Sequence, residues 1–156
     1  MTLKHLLIRP LNPPTKLVVA ALVIALLGFA DAVYLTVEHY MNAIPPCSIG
    51  SCETVLTSSY ATVLGMPVAL LGSIYYLVIL VAIFAYLDIR HHHLLRIGLI
   101  VPTLGFLGTL WLIYLQLFVI HAICIYCMGS AITTTLLFII AVIVFSKYPT
   151  ADTLLE

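Results

Sequence analysis

The chain has 156 residues, 63% apolar and only 8% charged, where an ordinary soluble domain carries about 25% charged residues. That excludes a free water-soluble protein and leaves length for one small domain whose solvent is the bilayer. Six Lys plus Arg balance six Asp plus Glu, so there is no basic surface for nucleic acid and no charge block to act as an interaction tail.

The first apolar run covers 17–35, interrupted only by Asp31, and the second covers 68–87, after the breaker Gly65-Met66-Pro67. Each is about 20 residues, enough for a helix to cross about 30 Å of hydrocarbon. From 97 to 145 the chain is almost continuously apolar, and as one helix it would measure ~73 Å, more than twice the membrane thickness. It must fold back on itself. His121 is the most polar interruption near its midpoint, which predicts a turn there, a third span over 97–120 and a fourth over 123–145. Pro102 predicts a kink in the third span. The expected fold is an all-α membrane domain over 1–156, a four-transmembrane-helix bundle. Its long loop, 36–66, between helices 1 and 2 exceeds an idle connection and should carry function or short structure.

Four spans put both termini on one side. Lys4, Arg9, Lys16, Arg90, Arg96 and Lys147 all fall in the N-terminal segment, the loop between spans two and three, or the C-terminal tail. Positive charges in short loops stay cytoplasmic. The chain is therefore expected in the cell (inner) membrane with both termini cytoplasmic, and the 36–66 loop and the His121 turn extracytoplasmic. A competing reading is a cleaved signal peptide, because three basic residues precede an apolar stretch ending in Ala30-Asp31-Ala32. The run exceeds the usual ~15-residue limit of a signal core, which favours a retained helix.

All four cysteines lie on the extracytoplasmic side in this topology, as two close pairs. Cys124-Ile125-Tyr126-Cys127 sets two thiols at i and i+3 where the fourth helix begins, on one face and within reach of a disulfide. Exposed N–H groups and the positive end of the helix dipole favour a thiolate there, as in redox-active C-x-x-C pairs. A static disulfide or a zinc half-site would use the same spacing. The second pair, Cys47 and Cys52, sits on the loop with Gly50 letting the backbone turn between them. A loop disulfide can be reduced by an incoming dithiol and exchanged with the membrane pair, each step needing one accessible thiolate. Two inert staples are the bland alternative.

Electrons that reach Cys124 and Cys127 need an acceptor, and the chain has no dinucleotide fingerprint and no C-x-x-C-H, which leaves flavin, nicotinamide and haem without a signal. A lipid-soluble quinone, of ubiquinone or menaquinone type, is the natural candidate. It would lie in a pocket of apolar and aromatic side chains with a few hydroxyls to orient its carbonyls. No metal is expected.

These residues resemble a known family. Cys47, Cys52, the following Glu53-Thr54-Val55-Leu56-Thr57-Ser58-Ser59-Tyr60-Ala61, then Gly65-Met66-Pro67, Leu71-Gly72, Tyr75-Tyr76 and Cys124-Ile125-Tyr126-Cys127 are similar to the vitamin K epoxide reductase family. The resemblance covers most of the chain from about Asp31 onward. It implies a four-helix bundle with its active site at the extracytoplasmic end. It further implies that Cys47 and Cys52 take electrons from a thioredoxin-like partner, that Cys52 attacks Cys124, and that Cys127 delivers the electrons to the quinone. Ser58 would hydrogen-bond a quinone carbonyl and Tyr60 would cover the ring. A fixed hydroxyl suits that role because charge develops on the quinone oxygen during reduction. Val68 and Ala131 stand where the animal enzymes carry an Asn and a Tyr near the naphthoquinone, which points to the microbial branch and away from vitamin K epoxide as substrate. Many bacterial members carry a fifth span and a fused thioredoxin-like domain; with Glu156 the last residue here, the dithiol partner is expected to be a separate protein.

Other polar residues carry weaker expectations. Asp31 is costly in lipid and is read either as a proton relay or as a side chain reaching the headgroups. His39 and His121 are read as solvated interfacial residues that could supply protons. His91-His92-His93 lies across the bilayer from every cysteine and is read as cytoplasmic filler. The tyrosines suit interfaces and helix contacts, while Gln116 and Thr133 to Thr135 suit interhelical hydrogen bonds. Two rivals to the oxidoreductase remain: a membrane protein that binds or transports soft metal through the outer thiols, and a structural subunit whose cysteines are static disulfides.

Overall fold

The computed structural model describes residues 14–47, 50–89 and 92–147. Lys4, Arg9, Arg90 and His91, used above in the charge and histidine readings, lie outside the described residues. Among the described residues, four helices are long and apolar enough to cross a bilayer: Thr15–Tyr40, Val68–Leu87, Ile100–Ile120 and Ile125–Lys147. In hydrocarbon every backbone N–H and C=O must bond within its own segment, so apolar runs of this length close into helices. The protein is a multi-pass membrane protein built as a four-span bundle.

In chain order the elements are α1 (Thr15–Tyr40), α2 (Cys52–Leu56), the strands β1 (Thr62–Val63) and β2 (Met66–Pro67), α3 (Val68–Ile89), α4 (His92–Tyr114) and α5 (Ile125–Lys147). α4 runs on as a π-helical stretch over Leu115–Ile120. The loop between α1 and α3 thus has structure of its own: a one-turn helix, then a small antiparallel pair with Val63 opposite Met66.

α1 packs against α3 and α5, and α4 packs against the same two helices, so α1 and α4 sit on a diagonal. α1 turns small residues inward, Ala21, Ala25, Gly28 and Ala32, at heptad-like spacing. Small residues let backbones approach closely where lipid supplies no hydrophobic drive between helices. Tyr76 of α3 uses the room. It is almost fully buried, and its ring lies where a Cβ on Gly28 would sit. Its hydroxyl reaches α5, with the Thr133 hydroxyl at 2.7 Å, the Thr134 hydroxyl at 2.9 Å and the Ser130 carbonyl at 3.0 Å. Tyr75, one residue earlier, packs over Gly105 of α4 in the same way.

α1 continues to Tyr40, five residues beyond the apolar run, because hydropathy marks where lipid ends and not where a helix must. Thr36 secures the extension, bonding back to the Ala32 carbonyl at 2.7 Å and facing Ser73 of α3 at 3.3 Å. The helix then closes with a Schellman turn: Ala43 N–H donates to the Glu38 carbonyl at 3.0 Å, Asn42 N–H donates to His39 at 3.2 Å, and Asn42 takes φ +52°. α1 runs unbroken through Ala30-Asp31-Ala32 and is packed into the bundle, so this segment is a span. Pro102 lies inside α4, which continues through it.

Candidate active site

The loop cysteines are joined. A disulfide links Cys47 and Cys52, whose Cα atoms are 6.1 Å apart, while Cys124 and Cys127 are free thiols. Cys52 opens α2 and is fully buried, whereas Cys47 is half-buried. Cys47 is therefore the more accessible residue of the pair.

Gly50 seats this loop against the inner pair. It forms a single antiparallel bridge with Cys124, and the next N–H, that of Ser51, donates to the Ile123 carbonyl at 2.9 Å. Gly50 has φ +98°, a region only glycine enters freely. A Cβ there would collide with the Ile123 carbonyl oxygen. A second tie comes from α5, where the Tyr126 hydroxyl donates to the Pro46 carbonyl at 3.1 Å. Cys52 and Cys124 consequently share one buried cluster with Val55 and Ala122, and Cys47 and Cys127 pack at its edge.

The turn that presents Cys124 falls at His121, where the sequence predicts it, and is tied by Gln116, for which the sequence suggested another task. His121 adopts a left-handed conformation with φ +54° and ends the π-helical stretch. Gln116, expected between helices, bonds the turn instead: its carbonyl accepts from Ala122 N–H at 3.0 Å, and its side-chain oxygen accepts from Cys124 N–H at 2.9 Å. The Cys124 carbonyl accepts from Met128 N–H at 3.0 Å, so Cys124 stands at the N-terminus of α5. Its thiol is lowered from 9.0 to about 7, first by a hydrogen bond from the Cys127 thiol and then by the N–H groups of Cys127 and Tyr126, against burial and the Asp31 carboxyl. Helix N-termini favour thiolates for this reason. Titrating thiolate absorbance with Cys47–Cys52 kept oxidised should give a midpoint near pH 7. Cys127→Ala should move that midpoint up towards the ordinary thiol value, and exchange through Cys124 should fall about tenfold per pH unit below the midpoint. An unmoved midpoint in the variant would assign the shift to the helix end alone.

Beside the inner pair is a cavity of about 550 Å³ with mostly apolar walls, within the usual range for small-molecule sites. Cys127, Ser58 and Tyr60 all line it, as do Val68 and Ala131. Ser58 donates its hydroxyl to the Val55 carbonyl at 2.7 Å, so its proton is already engaged inside the loop. Two other polar atoms in the wall, Asp31 Oδ2 and Tyr75 Oη, are buried and have no hydrogen-bond partner among the described residues. Tyr75 lies beside the Thr134 hydroxyl without completing a bond to it, that hydroxyl being held by Tyr76. In the sequence, Tyr75 carries only an interface or helix-contact role. Its pairing with Gly105 on α4 is the feature that turns it inward, and no spacing rule reveals it. Among the described residues, no three His, Cys, Asp or Glu side chains are grouped as a metal site. His121 is exposed, and His92 opens α4 at the opposite end of that helix from the cysteines.

A disulfide in an exposed loop, seated on a free dithiol at a helix N-terminus, is a relay for thiol–disulfide exchange within a membrane bundle. No curated protein matches the chain. A family model described as the vitamin K epoxide reductase family matches residues 19–142, which hold all four cysteines and the cavity. The chain belongs to the vitamin K epoxide reductase family and is a membrane thiol–disulfide oxidoreductase.

Proposed function

We propose that the protein passes electrons from a separate thioredoxin-like dithiol through Cys47 and Cys52, then Cys124 and Cys127, to a quinone, and so generates disulfides outside the cytoplasm. The observation that carries this reading is the seating of the Cys47–Cys52 disulfide on Cys124, beside a cavity that reaches Cys127. Burial supports the order of exchange. A partner thiolate attacks the half-buried Cys47 sulfur, the Cys47–Cys52 bond breaks, and Cys52 leaves as a thiolate. Cys52 then attacks Cys124 in a Cys124–Cys127 disulfide, which frees Cys127 next to the cavity. The partner's second thiol resolves its mixed disulfide with Cys47, so that the partner leaves oxidised, and attack of the freed Cys47 on Cys52 re-forms the Cys47–Cys52 bond, expels Cys124 and leaves the inner pair reduced. The structure has that arrangement, outer pair joined and inner pair free.

The cavity fits a quinone. It is apolar enough for a ring and the start of an isoprenoid tail, and the unpartnered Asp31 and Tyr75 atoms match the need of two carbonyl oxygens for donors. A quinone bound there supplies a two-electron, two-proton acceptor. Tyr60 and Ser58 would close over it from the loop, Ser58 by exchanging its internal bond to Val55 for a carbonyl. Val68 and Ala131 add apolar wall, which suits a plain quinone. Lys16 and Lys147 lie at the ends of α1 and α5 remote from the cysteines, and this supports cytoplasmic termini and an extracytoplasmic site.

The free state of Cys124 and Cys127 speaks against two static staples, and the joined state of Cys47 and Cys52 leaves the metal reading without its full thiol set. The test is quinone consumption, followed by ultraviolet absorbance, by purified protein given a reduced thioredoxin-like dithiol. Turnover with a benzoquinone or a naphthoquinone is expected. No consumption of either, with stoichiometric zinc or copper retained by the protein, would replace the oxidase with a metal-binding protein.

A further inference from the structure

Asp31 has no use in the thiol relay. It sits within α1, nine residues before the helix ends, and its Oδ2 is buried without a hydrogen-bond partner. It lines the same cavity as Cys127. Among the described residues, the titratable groups around that cavity are Tyr75 and Tyr76 from α3, Cys127 from α5, Tyr60 from the loop and His39 further along α1, while the lining that comes from α4 and its π-helical extension, Gln116 and Trp111 among it, holds no ionisable side chain. No Lys or Arg among the described residues lines the cavity. An ionised carboxylate held without a cation in such a place is disfavoured by the loss of solvation, whereas the neutral acid can point its proton into the cavity.

Proton count gives that acid a task. With Cys124 as thiolate, forming the Cys124–Cys127 bond releases two electrons but only one proton, from Cys127. Two protons must accompany the two electrons to a quinone. We propose that Asp31 is the second proton donor, delivering its carboxyl proton into the cavity beside Cys127 as the inner disulfide forms. The carboxylate left behind is reprotonated from water along the α1 face where Leu35 and the exposed His39 also line the cavity. This role rests on the quinone reading above and adds the residue that completes its proton balance.

The test uses Asp31→Asn and Asp31→Glu in the full chain, with retention of the Cys47–Cys52 disulfide as the check on folding. Infrared spectra of the reduced protein without quinone should show a protonated-carboxyl band that shifts in D2O and is missing from Asp31→Asn. With a short-chain benzoquinone as probe, Asp31→Asn should slow hydroquinone formation about 10²–10⁴-fold. Exchange between the dithiol and the cysteines should keep its rate, and Asp31→Glu should recover most of the loss. Absence of the band, undiminished turnover in Asp31→Asn, or equal loss of thiol exchange overturns the proposal. A wild-type protein that shows the band but reduces neither a benzoquinone nor a naphthoquinone overturns the quinone reading, and the donor role with it.

Discussion

Cys127→Ser should lower quinone reduction about a thousandfold or more, because a group that acts as one unit with its neighbours leaves little activity when removed. The variant should also accumulate a particular species. Its Cys124 thiolate still meets Cys52 in the shared buried cluster but has no second thiol with which to resolve. Attack of Cys124 on Cys52 breaks the Cys47–Cys52 bond, joins Cys52 to Cys124 and releases Cys47 as the free thiol. Alkylation followed by mass spectrometry should then find Cys47 labelled and Cys52 linked to Cys124. Cys124→Ser should lose activity as fully but show no such link. Quinone turnover within tenfold of wild type in Cys127→Ser would remove Cys127 from the path; the absence of any Cys52–Cys124 species would remove the proposed contact between the two pairs.

Gly50→Val should slow exchange between the two pairs about a hundredfold, the usual result of displacing reacting groups by about 1 Å. Two costs combine at this position. A side chain at φ +98° is strained by about 1–2 kcal/mol, and its Cβ meets the Ile123 carbonyl oxygen that accepts from Ser51 N–H. Relief requires the loop to move off the α5 turn, and Cys52 moves with it. Gly65→Ala is the control, since Gly65 has φ +79° but nothing within 4 Å of an added Cβ. It should lower stability by a similar strain and leave exchange unchanged. The rates can be followed by quenched alkylation after a pulse of reduced dithiol. Wild-type exchange in Gly50→Val would show that the bridge to Cys124 does not set the approach of the two pairs.

The spans were legible in the sequence for a local reason. A helix rises a fixed distance per residue and lipid has a fixed thickness, so runs of apolar residues announce crossings without any knowledge of their neighbours. The limits of that reading appear where the cause is not local. α1 extends to Tyr40 because Thr36 finds Ser73 on another helix. Gln116 serves the Cys124 turn because a π-helical stretch precedes it, and nothing in the hydropathy distinguishes such a stretch from an α-helix. The Cys124 N-terminus could be anticipated from the start of an apolar run, but the Cys127 hydrogen bond that lowers its thiol depends on side-chain placement.

By itself the sequence determined the number of crossings, the side on which positive charge gathers, and the two cysteine pairs as the groups able to do chemistry. Those properties follow from the order of residues along one strand of chain. Only the tertiary structure decided that Gly50 lies against Cys124, that Ser58 spends its proton inside the loop, and that Asp31 and Tyr75 face the cavity of Cys127 without partners. Each is a meeting between helices or between loop and helix. The close approach of small residues such as Gly28 and Gly105 to large ones such as Tyr76 and Tyr75 sets how the helices rotate against one another, and that rotation chooses which polar groups share the cavity.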